Sequence, residues 1–189
     1  MPMKITCIRH GKPDFNPPSL TSRIEPEHFN SLLDEYDAAG LEPVWNGKRK
    51  GEELRCRVIS SDLPRALDTA RLLSSNGRKI PMDPIFREVP LPRFRPGGMR
   101  VQPHLFMFWS RIGWALGILK SQESKAQANQ RVEKAADLLE ELCREHQEIA
   151  LCSHGYFLML LGRELRRRGW KTRKRGLYRF LERAEFTRR

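Results

Sequence analysis

The sequence predicts an α/β protein, a three-layer α/β/α sandwich with a mainly parallel central sheet. Three observations carry that expectation. Short apolar runs at Ile5–Ile8, Val58–Ile59 and Ile149–Cys152 give way abruptly to polar residues or glycine, as buried strands do. Segments with apolar residues at helical spacing lie between them, which is the alternation of a sheet flanked by helices. A length of 189 residues suits one domain with a proper core, residues 1–189, and no internal repeat divides it.

The elements follow in order. The chain enters its first strand directly from Met3, with no charged region followed by an apolar one, so no secretory signal is evident and a cytoplasmic location is expected. Residues from about Pro26 to Ala39 form an amphipathic helix with Phe29, Leu32, Leu33 and Tyr36 at helical spacing and Gly40 at its end. The strand at Val58 leads into a helix from Leu63 to Ser75. Pro64 is tolerated in its first turn, where amides lack intrahelical partners, and Asn76-Gly77 is its stop. A long helix from about Ser124 to His146 carries Val132, Ala135, Ala136, Leu138, Leu139 and Leu142 on one face, and its partner strand is Ile149 to Cys152. A last helix, Tyr156 to Arg168, buries Phe157, Leu158, Leu160, Leu161 and Leu165.

Two regions stand apart from this alternation. Arg93 to Leu119 opens with proline and glycine and continues through Leu105-Phe106-Met107-Phe108-Trp109 and Trp114 to Leu119. Its apolar stretch, interrupted by Arg111, is shorter than the roughly 20 residues a membrane span needs. A core helix, a lid over a site and a dimer surface are the readings open to it, with Phe106, Phe108, Trp109 or Trp114 as an apolar wall of a substrate pocket. The other region is basic. Residues 163–189 hold 12 Lys or Arg and 3 Glu, so 12 minus 3 gives +9 of the chain's +12. A solvated surface, a field that draws anionic substrates inward and a patch for nucleic acid or acidic lipid all fit that excess. Trp170 and Tyr178, set among the cations, are compatible with base stacking. Cys7, Cys56, Cys143 and Cys152 lack the spacing of a zinc site or a secreted disulfide framework and are expected as reduced thiols.

Chemistry is expected where the strands end, because ligands of α/β sheets gather outside the carboxyl ends of their strands. Two such ends carry Arg9-His10-Gly11 and Ser153-His154-Gly155. Arg65 falls in the first turn of a helix, where it repels the positive end of the dipole. An anion between them makes sense of that placement, and phosphate matches a guanidinium's planar fork.

With these residues in place, the chain resembles the histidine phosphatase superfamily, the phosphoglycerate mutase-like group. The resemblance rests on Arg9-His10-Gly11, the stretch Ser60 to Ala70, Phe86-Arg87-Glu88 and Ser153-His154-Gly155, in that order along the chain. It implies a phosphatase that hydrolyses phosphomonoesters through a covalent phosphohistidine on His10 and needs neither metal nor cofactor. An imidazole of ordinary pKa, roughly 6.5, is deprotonated enough for attack near neutrality. Arg9, Arg65 and His154 would surround the phosphoryl oxygens, with Gly155 beside them and Asn16 as a further phosphate ligand. Glu88 would be the general acid and then the base, with Asp14 as the substitute. His28, His104 and His146 are left as structural.

The expected partner is a small phosphoester, with a phosphoprotein or nucleic acid as alternatives. A mutase-like phosphotransferase differs only in the acceptor, and needs extra anion ligands of which the proline-rich tract after Glu88 gives no sign. The remaining class is a non-catalytic phosphate- or nucleic-acid-binding module that uses the basic tail.

Overall fold

The computed structural model describes residues 2–43, 53–74, 79–94, 100–119 and 121–188. The stop signal Asn76-Gly77, and the tract Arg95-Pro96-Gly97-Gly98 of the atypical segment, lie outside the described residues. Four strands form one sheet: β1 (Met3–Arg9), β2 (Arg57–Ser60), β3 (Glu148–Ser153) and β4 (Arg183–Arg188), in the order β2-β3-β1-β4. Both β1 and β2 run parallel to β3, and β4 closes the edge antiparallel to β1.

Strand alternation splits the packing into two layers. Ile5, Cys7, Ile149 and Leu151 join a core with α4 (Lys125–His146) and α5 (Gly155–Arg167). Ile8, Val58, Ala150 and Cys152 join a separate one with Ala70 and Leu73 of α2 (Pro64–Leu73). The sandwich therefore has helices on both faces, as the sequence pattern predicts. Two further helices, α1 (Pro26–Ala38) and α3 (Pro103–Ala115), pack on each other beyond the strand ends, where Phe29 meets Phe106 edge to face. Cys7 and Cys152 belong to opposite faces, and burial pushes both thiols up, Cys152 to about 12.

Register positions the site. Ile8 pairs with Cys152 and Arg9 with Ser153, so β1 and β3 end level and hand their next residues, His10 and His154, to the same rim. The His10 amide donates to the Ser153 carbonyl at 2.9 Å and fixes the first step off the sheet. At the start of α4, Ser124 accepts from the Gln127 amide while the Gln127 side chain accepts from the Ser124 amide, a reciprocal cap.

The basic segment is less a tail than part of the core. Arg183 to Arg188 alternates apolar and polar residues, and Ala184 and Phe186 turn inward against the α4 and α5 side. Trp170 and Tyr178 are buried in the same cluster, and Trp170 donates its indole N–H to Glu140 at 2.7 Å. These two rings are thus unavailable for stacking on bases. Packing wins because each large apolar side chain removed from water contributes about 1.5–3 kcal/mol. Much of the local charge is paired: Arg168 with Glu164, Arg188 with Glu140 and Lys174 with Glu182.

Candidate active site

The two histidine rings stand 5.1 Å apart, centroid to centroid. His10 is buried, and its Nδ1 lies 2.6 Å from the Gly11 carbonyl, which makes Nδ1 the protonated nitrogen. The Nε2 lone pair is left as the nucleophilic one. Burial first, and the Arg65 and Arg9 guanidiniums after it, push the imidazole down to about 3, with the Gly11 carbonyl opposing. The ring is therefore neutral far below neutrality, whereas the sequence reading expected an ordinary value near 6.5.

His154 is the residue before α5. Its Nε2 lies 2.9 Å from the Ser61 hydroxyl, which in turn accepts from the Leu63 amide at 3.3 Å. The direction of that bond follows the ring's tautomer: with the hydroxyl donating to Nε2, His154 carries its proton at Nδ1. Nδ1 is buried without a protein partner. Burial, then His10, Arg65 and Arg9, hold this ring well below its ordinary value.

Arg9 donates to the Tyr178 carbonyl at 2.7 Å and its guanidinium carbon lies over the Phe180 ring, 4.1 Å from the centroid. Arg65 behaves differently from the expectation of a cation facing an anion alone. Its two terminal nitrogens donate to the Tyr36 carbonyl at 2.8 Å, the Asp37 carbonyl at 3.3 Å and the Asp37 carboxylate at 3.0 Å. The guanidinium thus satisfies the last carbonyls of α1, where a helix dipole favours a cation, and stacks on Tyr36 at 4.4 Å. Both arginines keep a buried Nε–H with no protein partner.

Glu88 follows the short turn at Pro84–Phe86 and reaches across to α5. One carboxylate oxygen accepts from the Val89 and Phe157 amides at 3.0 and 2.8 Å, and the other from the Tyr156 amide at 3.1 Å. It caps the positive end of α5. The second oxygen accepts a single bond and keeps a lone pair on which a proton can be carried. Arg111 of α3 holds the neighbouring carbonyls of Val89 and Pro90 and stacks on Tyr156, which fixes the loop that carries Glu88.

Gly155 opens α5 beneath Arg9, and a methyl group there would come within 3.2 Å of the guanidinium Nε. Its absence of a side chain makes room for the cation. Asn16 and Asp14 are not drawn into the buried group: both side chains are exposed on the loop after His10, although the intervening Phe15 packs on Tyr36. Of the aromatic wall expected from the atypical segment, Phe106 packs on Phe29 and Phe94, Trp114 is buried against Tyr156, and Phe108 and Trp109 are exposed.

Four residues were missed by sequence reasoning. Ser61 orients His154, and Thr69 accepts from the Gly11 amide at 2.9 Å while donating to the Arg65 carbonyl at 2.7 Å, which ties the nucleophile loop to α2. Both lie in the stretch Ser60 to Ala70, one and four residues from quoted positions, so attention to hydroxyls there would have found them. Tyr36, whose phenol is pushed up by burial, and Phe180, 5.6 Å from the His10 ring, carry no such local signal.

The profile of the histidine phosphatase superfamily, branch 1, matches residues 5–177. The chain belongs to that superfamily. Among solved structures, a mycobacterial glucosyl-3-phosphoglycerate phosphatase aligns at 20% identity and TM-score 0.55, over 87% of this chain and 80% of that one. A protein titled mycobacterial hydrolase 1 aligns at 18% identity and TM-score 0.58, over 99% and 92%. A phosphoserine phosphatase of Entamoeba histolytica, solved with 3-phosphoglyceric acid, aligns at 20% identity and TM-score 0.53, over 87% and 80%. At these identities the likeness shows the superfamily's fold. No curated protein matches the chain in sequence.

Proposed function

We propose that this superfamily member is a phosphatase that hydrolyses small phosphomonoesters through a phosphohistidine on His10, without metal or cofactor. The observation that carries the reading is the set of buried nitrogens with no protein partner, the N–H donors Arg9 Nε and Arg65 Nε and the ring nitrogen His154 Nδ1, beside two neutral imidazoles. Buried polar groups are almost always satisfied, so two unpartnered guanidinium donors from different elements, with His154 Nδ1 as a third unpartnered atom, favour an anion as the absent acceptor.

In the first step His10 Nε2 gives its lone pair to phosphorus, the P–O ester bond breaks, and the leaving oxygen takes a proton. Glu88 supplies that proton from the oxygen that accepts only the Tyr156 amide. In the second step the Glu88 carboxylate takes a proton from water, the hydroxide attacks phosphorus, and the P–N bond breaks to return neutral His10. Arg9, Arg65 and His154 stabilise the phosphoryl charge throughout. The free thiols Cys7, Cys56, Cys143 and Cys152 support placing the reaction in the reducing cytoplasm.

Turnover of an aryl phosphate in the presence of a chelator tests this reading. Wild type is expected to turn over, and His10→Ala to fall by about 10³-fold or more with its fold retained. Equal rates would reject His10 as nucleophile. Glu88→Gln is expected to slow an alkyl ester more than the aryl ester, whose leaving group needs no proton. An equal loss on both would assign Glu88 to holding α5 alone.

A further inference from the structure

Helix α3 carries apolar side chains on both its inner and its outer side, and only the inner side is covered. On the inner side Pro103, Ser110 and Trp114 are buried, and Phe106 meets Phe29 at 4.9 Å and Phe94 at 3.7 Å. On the outer side Leu105, Phe108, Trp109, Ile112 and Leu116 recur at steps of three and four, which places them in one stripe roughly 100° wide. Phe108 is 58% exposed, Trp109 61% and Leu116 69%. Ile118 and Leu119 extend the exposed apolar surface past the helix end. A contiguous exposed apolar patch marks a docking surface.

Charge decides what docks. The chain carries +12 overall, and from Val89 to Gln122 it has no Asp or Glu; of the cations described there, Arg93 pairs with Asp34, Arg100 pairs with Glu25, and Arg111 turns inward onto the Val89 and Pro90 carbonyls. Lys125 and Arg163 stand exposed at the C-terminal end of α3, around the same cavity as Ala115. A second copy of a +12 chain would bring like charge to an apolar stripe that contains no carboxylate. An anionic bilayer satisfies both features at once, because aromatic and aliphatic side chains enter the boundary between headgroups and acyl chains while cations meet lipid phosphates. At 13 residues, α3 is about 20 Å long, short of the ~30 Å hydrocarbon core, so it would lie in the interface rather than across it.

We propose that α3 docks this protein on an anionic membrane surface, with Leu105, Phe108, Trp109, Ile112 and Leu116 inserted and the exposed Lys125 and Arg163 toward the headgroups. The proposal is independent of the hydrolysis reading. The test is sedimentation of the full chain with phosphatidylcholine vesicles and with vesicles containing phosphatidylglycerol, comparing wild type with Phe108→Ser/Trp109→Ser. Both substituted side chains are exposed, and a thermal melt confirms that the variant is folded. Binding is expected on the anionic vesicles, weaker on neutral ones and at high salt, and about tenfold or more weaker in the variant, which loses two aromatic side chains from the inserted stripe. No binding to either vesicle would overturn the proposal, as would equal binding to both or binding untouched by the double substitution. A dimer in solution that the variant dissolves, with vesicles ignored, would overturn it in favour of a second copy.

Discussion

The rim at the ends of β1 and β3 and the outer face of α3 invert the ordinary distribution of side chains in opposite senses. At the rim, His10, Arg65, His154 and Ser61 are polar or charged and fully buried. On α3, Phe108, Trp109 and Leu116 are large and apolar and mostly exposed. Each arrangement costs stability taken alone, because buried polar groups lose water and exposed apolar ones order it. Where a fold keeps such a cost, the compensation is sought in something outside the chain. An anion would satisfy the rim, and a lipid surface the helix.

The comparison breaks most visibly on activity. His154→Ala removes one unpartnered buried ring nitrogen from the rim and is expected to lower kcat/KM by about 10²–10³-fold, the usual effect of losing one preorganised group at a developing charge. Steady-state kinetics on an aryl phosphate checks it, and a loss under threefold would remove His154 from phosphoryl binding.

The next effect is on acid stability. Burial holds His10 at about 3 in the folded protein against 6.5 when unfolded, so the unfolded chain binds the proton first as pH falls. The stability lent by the neutral ring is present above pH 6.5 and is lost from there down to about 3, at about 1.4 kcal/mol per pH unit. Urea melts over that window should show a shallower acid loss in His10→Ala than in wild type. Parallel curves would mean that the imidazole is not held neutral by burial.

Smaller again is Phe180→Ala. Its ring contributes a cation–π contact to Arg9 and faces His10, so a loss of about 0.5–1 kcal/mol, read as a two- to fivefold fall in kcat/KM, is expected. Smallest is Phe108→Ser/Trp109→Ser, which should leave the melting profile within about 0.5 kcal/mol and the turnover of a soluble ester unchanged. A large loss of either would place the exposed face inside the working fold and erase the contrast between the two regions.

What was legible in the sequence follows from which signals are local. The strands β1, β2 and β3 and the helix α2 announce themselves within a few residues, and their carboxyl ends name His10, His154 and Arg65 at once. β4 was not read, although Arg183 to Arg188 alternates, because the surrounding cations resemble a solvated tail until Trp170, Tyr178 and Phe186 are seen to close the core. Partners set by distant chain were also invisible. Arg65 spends its terminal nitrogens on α1, and Glu88 spends its oxygens on α5, and no spacing in the sequence records either choice. The exposure of α3 was undetermined for a related reason: apolar residues on two sides of a helix say that both want cover, not which side receives it.

The central claim is that His10 Nε2 becomes bonded to phosphorus. Rapid quenching of wild type with an aryl phosphate into alkali, which spares phosphohistidine, followed by intact-mass analysis, measures it directly. The expected result is a gain of one phosphoryl group that acid removes, mapped to His10 and missing from His10→Ala. A turning-over enzyme that never carries the group, or a variant at His10 that still does, would contradict it.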